Sequence, residues 1–302
     1  MRKRVAIALV FGLLLLGVGA ASYGAGVGTS AFNFLKLGPG VRAAGMGGAF
    51  CAVADDASAL YWNPAGLTTM EESQLQFQHT QYVEGITYEY LALTQQLDPH
   101  TALGASFCLL NSGNIERTTV SDPGGTGETF TAQDTVATFG TARKMNDNLA
   151  LGVGVKFVTE RLDDEHAQTW AFDLGALLNL TPQLTLGAGV QNLGDTIRFT
   201  EDKEEIPLNY RVGFAYQTTG RELLLALDLN KANDNEAFVS VGTEFNNGPL
   251  AFRGGYATGP NEAGSGFSFG LGADLGQVGL DYAWVPYGEL GSTHRVAINF
   301  TY

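Results

Sequence analysis

Residues 295–302 read Arg-Val-Ala-Ile-Asn-Phe-Thr-Tyr. Val296, Ile298, Phe300 and Tyr302 share one parity, and Arg295, Ala297, Asn299 and Thr301 share the other. A period of two places the two sets on opposite faces of a strand. The division recurs upstream. Val278, Leu280, Tyr282 and Trp284 oppose Gly279, Asp281 and Ala283; Phe267, Phe269 and Leu271 oppose Ser268, Gly270 and Gly272. Trp170, Phe172 and Leu174 oppose Asp173 and Gly175, and Val153, Val155 and Phe157 oppose Gly152, Gly154 and Lys156. A soluble sandwich solvates a large polar face rich in Lys, Glu and Thr. Here the non-apolar face is Gly, Ala, Ser and isolated charges. That suits a crowded, wet interior, with the apolar parity turned to lipid and aromatics near the strand ends.

Connection lengths point the same way. Links around Leu97–His100, Lys144–Asn148, Thr181–Gln183, Thr218–Arg221, Asn246–Pro249 and Leu275–Gln277 are short and turn-like. Between them lie the longer or more charged stretches Asn111–Thr129, Glu160–Gln168, Gly194–Ile206, Asn230–Glu236, Thr258–Ser265 and Pro286–Thr293. Short and long alternate, as in a transmembrane barrel but not in an exported propeller. The fold class is all-β: a transmembrane antiparallel β-barrel of about 14 strands with a small N-terminal helical plug. Two strands alternate poorly, at about Ile86–Leu97 and Thr131–Lys144. Leu91 and Leu93 fall on the inward parity of the first of these, so a bulge or a plug contact is expected there.

Composition narrows the classes. The 302 residues include 40 Gly, 2 Cys and 16% charged residues, with a net charge of −14. Two Cys exclude a disulfide scaffold, and the acidic balance argues against nucleic acid as a partner. Arg2, Lys3 and Arg4 precede an apolar run from Val5 to Val18 and then small residues, the pattern of a secretory signal peptide, with a signal anchor as the alternative. The expected organisation is a signal peptide over 1–22, a plug or hatch segment over 23–72 and the barrel over 73–302. The expected location is the outer membrane of a Gram-negative-type bacterium.

The segment before the first strand does not alternate. Asp55 and Asp56 are placed to cap a short helix through Ala57–Tyr61, Pro64 forces Asn63 out of the helical region, and Gly66 permits a left-handed turn. Gly45, Gly47 and Gly48 allow close backbone packing. A knot holding Trp62, Tyr61, Phe50 and Met46 reads as a plug seated in the lumen, with a periplasmic linker as the alternative.

The run Arg42-Ala-Ala-Gly-Met-Gly-Gly-Ala-Phe50, followed by Asp55-Asp-Ala-Ser-Ala-Leu-Tyr-Trp-Asn-Pro-Ala-Gly-Leu67, resembles the N-terminal signature of PorV/PorQ outer-membrane proteins. Those belong to the wider superfamily of FadL, the long-chain fatty-acid transporter, whose Asn-Pro-Ala motif matches Asn63, Pro64 and Ala65. The resemblance implies a 14-stranded barrel with an N-terminal hatch and a role in protein secretion of type IX kind. Its alternative is passive transport of hydrophobic small molecules such as fatty acids. It implies secretion proteins or a hydrophobic solute as partners. The aromatic ending at Phe300 and Tyr302 resembles a signal read by the barrel-assembly machinery.

Charges on the inward parity are Lys156, Asp173, Arg211, Asp228, Glu244, Arg253, Asp274, Asp281 and Arg295. They would line a solute path or pair to hold strand and plug registers; the second is the ordinary use of lumen charge. Adjacent Asp55 and Asp56 supply too few oxygens for a calcium site. Acidic loop residues such as Asp163, Asp164 and Glu165 would form a solvated rim or bridge cations to lipopolysaccharide. Cys51 and Cys108 leave a plug-to-wall disulfide open. The four His are scattered, Ser292 beside His294 makes no triad, and no catalytic residue, cofactor or metal is expected.

Overall fold

The computed structural model describes residues 30–194, 197–198, 203–259 and 266–302. The expected signal peptide and the first residues of the hatch segment lie outside the described residues. So do parts of the 195–208 and 258–266 connections.

Fourteen strands close into one antiparallel barrel. They are β1 (Gln74–Gln81), β2 (Thr87–Asp98), β3 (Thr101–Asn111), β4 (Ala132–Lys144), β5 (Leu149–Leu162), β6 (Glu165–Asn179) and β7 (Leu184–Gly194). The second half is β8 (Asn209–Gln217), β9 (Leu223–Ala232), β10 (Phe238–Asn247), β11 (Leu250–Ala257), β12 (Phe267–Asp274), β13 (Val278–Pro286) and β14 (Ser292–Thr301). Each strand pairs with its sequence neighbours, and β1 closes the ring on β14, with Gln74 opposite Thr301 and Gln81 opposite His294. Closure leaves no free sheet edge and rules out a propeller.

The alternation reads inside-out as expected. Leu225, Leu227 and Leu229 stand exposed on the outer wall of β9, while Leu224, Ala226 and Asp228, which alternate with them, are buried. The outer belt carries tilted aromatic pairs, Phe157 with Trp170 at 5.0 Å and Tyr256 with Phe267 at 4.9 Å, and the more nearly stacked pair of Phe269 and Trp284 at 5.9 Å. Such a belt is stable only against hydrocarbon.

Three expectations are corrected. Leu91 and Leu93 point outward, 47% and 44% exposed; the lumen face of β2 is Tyr88, Tyr90, Ala92 and Thr94. Apolarity alone selects the wrong row here, because the two Tyr phenols are inside donating to hatch carbonyls. A register shift in β2 does occur, but between Gln96 and Asp98 at its end. Glu160–Gln168 is not a loop: β5 and β6 run on for 14 and 15 residues and meet at Asp163 and Asp164. Asp163 takes φ +56°, and its carboxylate pairs with Arg117 at 2.6 Å.

The remaining short and long links alternate as read, so the barrel has a short-turn mouth and a long-loop mouth. At the latter, Ile115–Glu116 pairs with Thr129–Phe130, and Ile197–Arg198 with Lys203–Glu204.

Candidate functional site

The lumen is filled by residues 30–73, which thread it from mouth to mouth. At the long-loop mouth the Ala31 amide donates to Glu205 O (3.0 Å), the Phe32 amide to Glu160 Oε2 (3.1 Å), and Lys36 pairs with Asp234 (2.6 Å). At the short-turn mouth Gln96 Nε2 donates to Leu67 O (2.7 Å), and Thr94 Oγ1 contacts Met70 Sδ (3.6 Å). The segment is therefore a hatch and not a linker.

Its local structure follows from the sequence in most places. Helix α1 (Val41–Gly45) is stopped by Gly47 and Gly48, both left-handed at φ +67° and +75°, with Gly48 N bonded to Ala43 O. Helix α2 (Ala59–Trp62) is shorter than expected. Asp56 Oδ1 accepts from the Ser58 amide (2.8 Å) and hydroxyl (2.5 Å), so Asp56 fixes the turn before α2. Asp55 caps nothing and pairs instead with Arg42. Burial holds the Asp56 carboxyl above its ordinary range, against the pull of Arg42 and of the Ser58 bonds.

Asn63 is extended (φ −165°), as the following proline requires, and Pro64 opens a 3-10 turn over Pro64–Thr68. The Asn63 side chain is wholly used: Oδ1 accepts from Ala65 N (3.2 Å), while Nδ2 donates to Cys51 O (2.9 Å) and to Ala176 O of β6 (3.0 Å). The Asn-Pro-Ala turn is thus a tie between two hatch segments and the wall. Gly66 is not left-handed; it is Gly because a Cβ would overlap Ala54 O.

The inward glycines are explained by the hatch. A Cβ on Gly152 of β5 would overlap the Pro64–Ala65 backbone, and one on Gly187 of β7 would lie 2.5 Å from Cys51 O. Across the barrel, one on Gly255 of β11 would overlap Met46 and Gly47, and Gly45 meets Gly270 of β12. The glycine face is a dry seat, not the wet lining that the sequence suggests.

Eight of the nine predicted charges do face the lumen. Asp274 stands exposed at the short-turn rim, where it borders the mouth, and accepts from Gly276 N (2.9 Å). The last residue of a strand keeps its parity but already stands at the rim. Arg42 grips Glu244 with two bonds (2.7 and 2.9 Å); Arg253 joins Glu244 (2.6 Å) to Asp281 (2.5 Å). Asn299 and Gln76 extend this clasp onto β14 and β1. It borders a polar vestibule of about 460 Å³ at the short-turn mouth.

Nearer the long-loop mouth, Lys156 pairs with Asp173 (2.7 Å) and donates to Asn192 Oδ1 (2.7 Å). Arg211 stacks over Trp62 (4.4 Å) and Tyr61 (5.1 Å), Asp228 Oδ2 accepts from the Phe50 and Cys51 amides, and Arg295 donates to Gly38 O (3.3 Å) and Tyr82 Oη (3.1 Å). Most of these charges hold the hatch, as register pairing requires. Sequence reasoning missed Gln78, which accepts from Gly40 N (2.7 Å), and Gln191, which donates to Tyr61 O. Both are uncharged inward residues, and only their parity marked them.

An apolar seal separates the two polar zones. Met46, Phe50, Val53, Leu60, Leu67 and Met70 of the hatch pack on Ala102, Ala142, Ala215, Leu224 and Ala226 of the wall. Above it, between the hatch and β2–β5, lies a small cleft of about 20 Å³ bordered by Phe34, Leu35, Leu37, Tyr88, Cys108 and Val136. Tyr88 and Tyr90 donate to Leu37 O and Ala57 O at 3.3 Å.

Cys51 and Cys108 are both free and buried, so they form no disulfide. Burial, with Asp228 adding to it, pushes the Cys51 thiol well above its ordinary value, against Arg211 and Asn63. His294 Nδ1 faces Tyr282 Oη at 2.8 Å. Among the described residues no three His, Cys, Asp or Glu side chains come together as a metal site. Phe300 lies on the outer wall, and the Tyr302 amide donates to Ser73 O.

Over residues 18–157 the chain is similar to an uncharacterised protein family, UPF0164. No curated protein matches it. Among solved structures, the toluene transporter TbuX of Ralstonia pickettii is 16% identical and covers 90% of this chain and 99% of its own, with a TM-score of 0.64. The toluene transporter TodX of Pseudomonas putida is 14% identical over 88% of this chain and 99% of its own (TM-score 0.65). A FadL homologue of Pseudomonas aeruginosa is 13% identical over 87% and 97% (TM-score 0.60). The shared feature is the fold, a FadL-like barrel.

Proposed function

We propose that the protein is an outer-membrane barrel that passes small hydrophobic compounds through a hatch-closed lumen, without enzymatic chemistry. The observation that carries this reading is the mostly apolar cleft where Phe34, Leu35 and Leu37 of the hatch meet Tyr88, Cys108 and Val136 of the wall; at about 20 Å³ it holds no solute while the hatch is seated, but it lines the seam along which the hatch would part from β2–β5. Lys156, which also borders it, is held by Asp173 and Asn192, Tyr88 donates to Leu37 O, and the apolar seal lies beneath the cleft. A non-polar solute passing along that seam gains by leaving water, whereas an ion gains nothing. Fold likeness to two toluene transporters and a FadL homologue supports the same class. In this reading the outer belt meets outer-membrane lipid and lipopolysaccharide, and Phe300 and Tyr302 serve recognition by the barrel-assembly machinery.

The secretion-associated, PorV/PorQ-like reading rests on the hatch signature. Met46, Phe50, Trp62 and Asn63 of that signature are buried, so those residues offer no docking face to a secretion partner. The signature is better read as the shape of a hatch, which both functions would share.

Uptake separates the two. Cells lacking the protein should take up labelled monoaromatic hydrocarbon or fatty acid more slowly, and the full chain should restore the rate. Unchanged uptake after deletion, with loss of secreted proteins instead, would favour the secretion reading.

A further inference from the structure

Arg211, Asp228 and Asn230 meet at one place where the wall of β8 and β9 faces the hatch. Arg211 and Asn230 are direct cross-strand partners, and Asp228 is the partner of Gly213, two residues along β8 from Arg211. Asp228 Oδ1 leans across Gly213 so closely that a Cβ there would overlap it. All three residues are more than nine-tenths buried, at 6%, 0% and 2% exposure.

Among the described residues, four of their polar atoms find no protein partner: Arg211 Nε, Arg211 Nη1, Asp228 Oδ1 and Asn230 Oδ1. Arg211 and Asp228 form no direct ion pair, and each is held on its own side. Asp228 Oδ2 is held by the Phe50 amide (2.9 Å) and the Cys51 amide (2.8 Å). The guanidinium is pinned on the faces of Trp62 and Tyr61, and its remaining nitrogen donates to Tyr61 Oη (3.3 Å).

Two donors and two acceptors left unpaired at one buried place are the hydrogen-bonding complement of a single water molecule, which accepts two bonds and donates two. An anion would meet the Asp228 and Asn230 oxygens, and a cation would meet the guanidinium. We propose that this site holds one ordered water that bridges Arg211 to Asp228 and Asn230 and forms part of the hatch seat. Elsewhere the seat is made of close glycine–backbone contact and of polar side chains bonded directly to the hatch, so here a water would take the place of a direct contact. The inference concerns the seat alone and stands whether or not the lumen passes hydrophobic solutes.

A high-resolution crystal structure of the full chain tests it, with a bromide-soaked crystal as control. The expected result is a peak at about 2.7–3.2 Å from Arg211 and from at least one of the two oxygens, with no anomalous signal after the soak. An empty site with Arg211 turned onto Asp228 overturns the proposal, as does bromide bound there. Radiolytic footprinting gives a second reading, because water activated in place oxidises its neighbours. Buried Trp62 should be oxidised in the native protein and protected several-fold in Asn230→Leu. Equal labelling in the two, or none in either, overturns it.

Discussion

The hatch is held in two different ways on two sides of the barrel. Along β3–β7 the contact is steric: Gly104 and Gly140 meet Leu60, Gly152 meets Pro64 and Ala65, Gly175 meets Asn63 and Pro64, and Gly187 meets Cys51 and Ala52. Along β10–β14 and β1 glycines recur, but a charged chain runs beside them from Arg42 through Glu244, Arg253 and Asp281 to Asn299 and Gln76. The difference teaches what each kind of contact specifies. Close backbone approach fixes where the hatch sits and tolerates no side chain at all. Ion pairs fix its register but gain little net stability, because desolvation offsets most of their attraction.

Breaking the steric side should have the largest effect. Gly152→Leu puts a side chain where Pro64 and Ala65 lie, so the barrel should still fold while the hatch fails to seat. Planar-bilayer recording should show steady open-channel current, and protease should cleave the hatch in folded barrels. A silent, protected variant would mean that the glycine arc is not the seat.

The charged side should yield less. Arg42→Leu leaves Glu244 with Arg253 as its remaining cation and Asp55 partly in solvent, so the cost should fall below the figure of about 3–5 kcal/mol for a buried charge left with no partner. Intermittent openings are expected, and Arg42→Leu combined with Glu244→Leu should recover part of the loss. If the double variant is worse than the single, the clasp contributes more than register.

The outer wall sharpens the contrast from outside. Leu227→Lys on the exposed face of β9 should lower unfolding stability by about 2–4 kcal/mol if that position lies near the bilayer midplane, and leave the hatch closed. Denaturant titration in lipid checks the first part and bilayer recording the second. Smallest of all is Asp274→Ala. It removes a turn bond at the exposed rim, so a change of about 1 kcal/mol and no current are expected.

The wall was far more legible than its contents. Val296, Ile298 and Phe300 reveal the barrel because lipid and lumen make opposite demands on adjacent residues. The same logic fails in β2, where Tyr88 and Tyr90 share the strand with the more apolar Leu91 and Leu93 but carry hydroxyls that bond the hatch. Asn63 was readable as a turn from the proline after it, but not as a bond to Ala176, which lies 113 residues away. The seat was misread for a related reason. A glycine at 152 or 187 records the backbone that presses on it, and sequence alone does not say which backbone that is.

Ion current through the intact full-length protein in a planar bilayer tests the central claim, a lumen closed by a seated hatch, most directly. The account predicts a membrane that stays electrically silent after insertion, with current appearing only when the seat is broken. Stable ohmic conductance from the unaltered protein would contradict it, since a lumen filled from Ser30 to Ser73 and sealed by Met46, Phe50 and Leu60 offers ions no path.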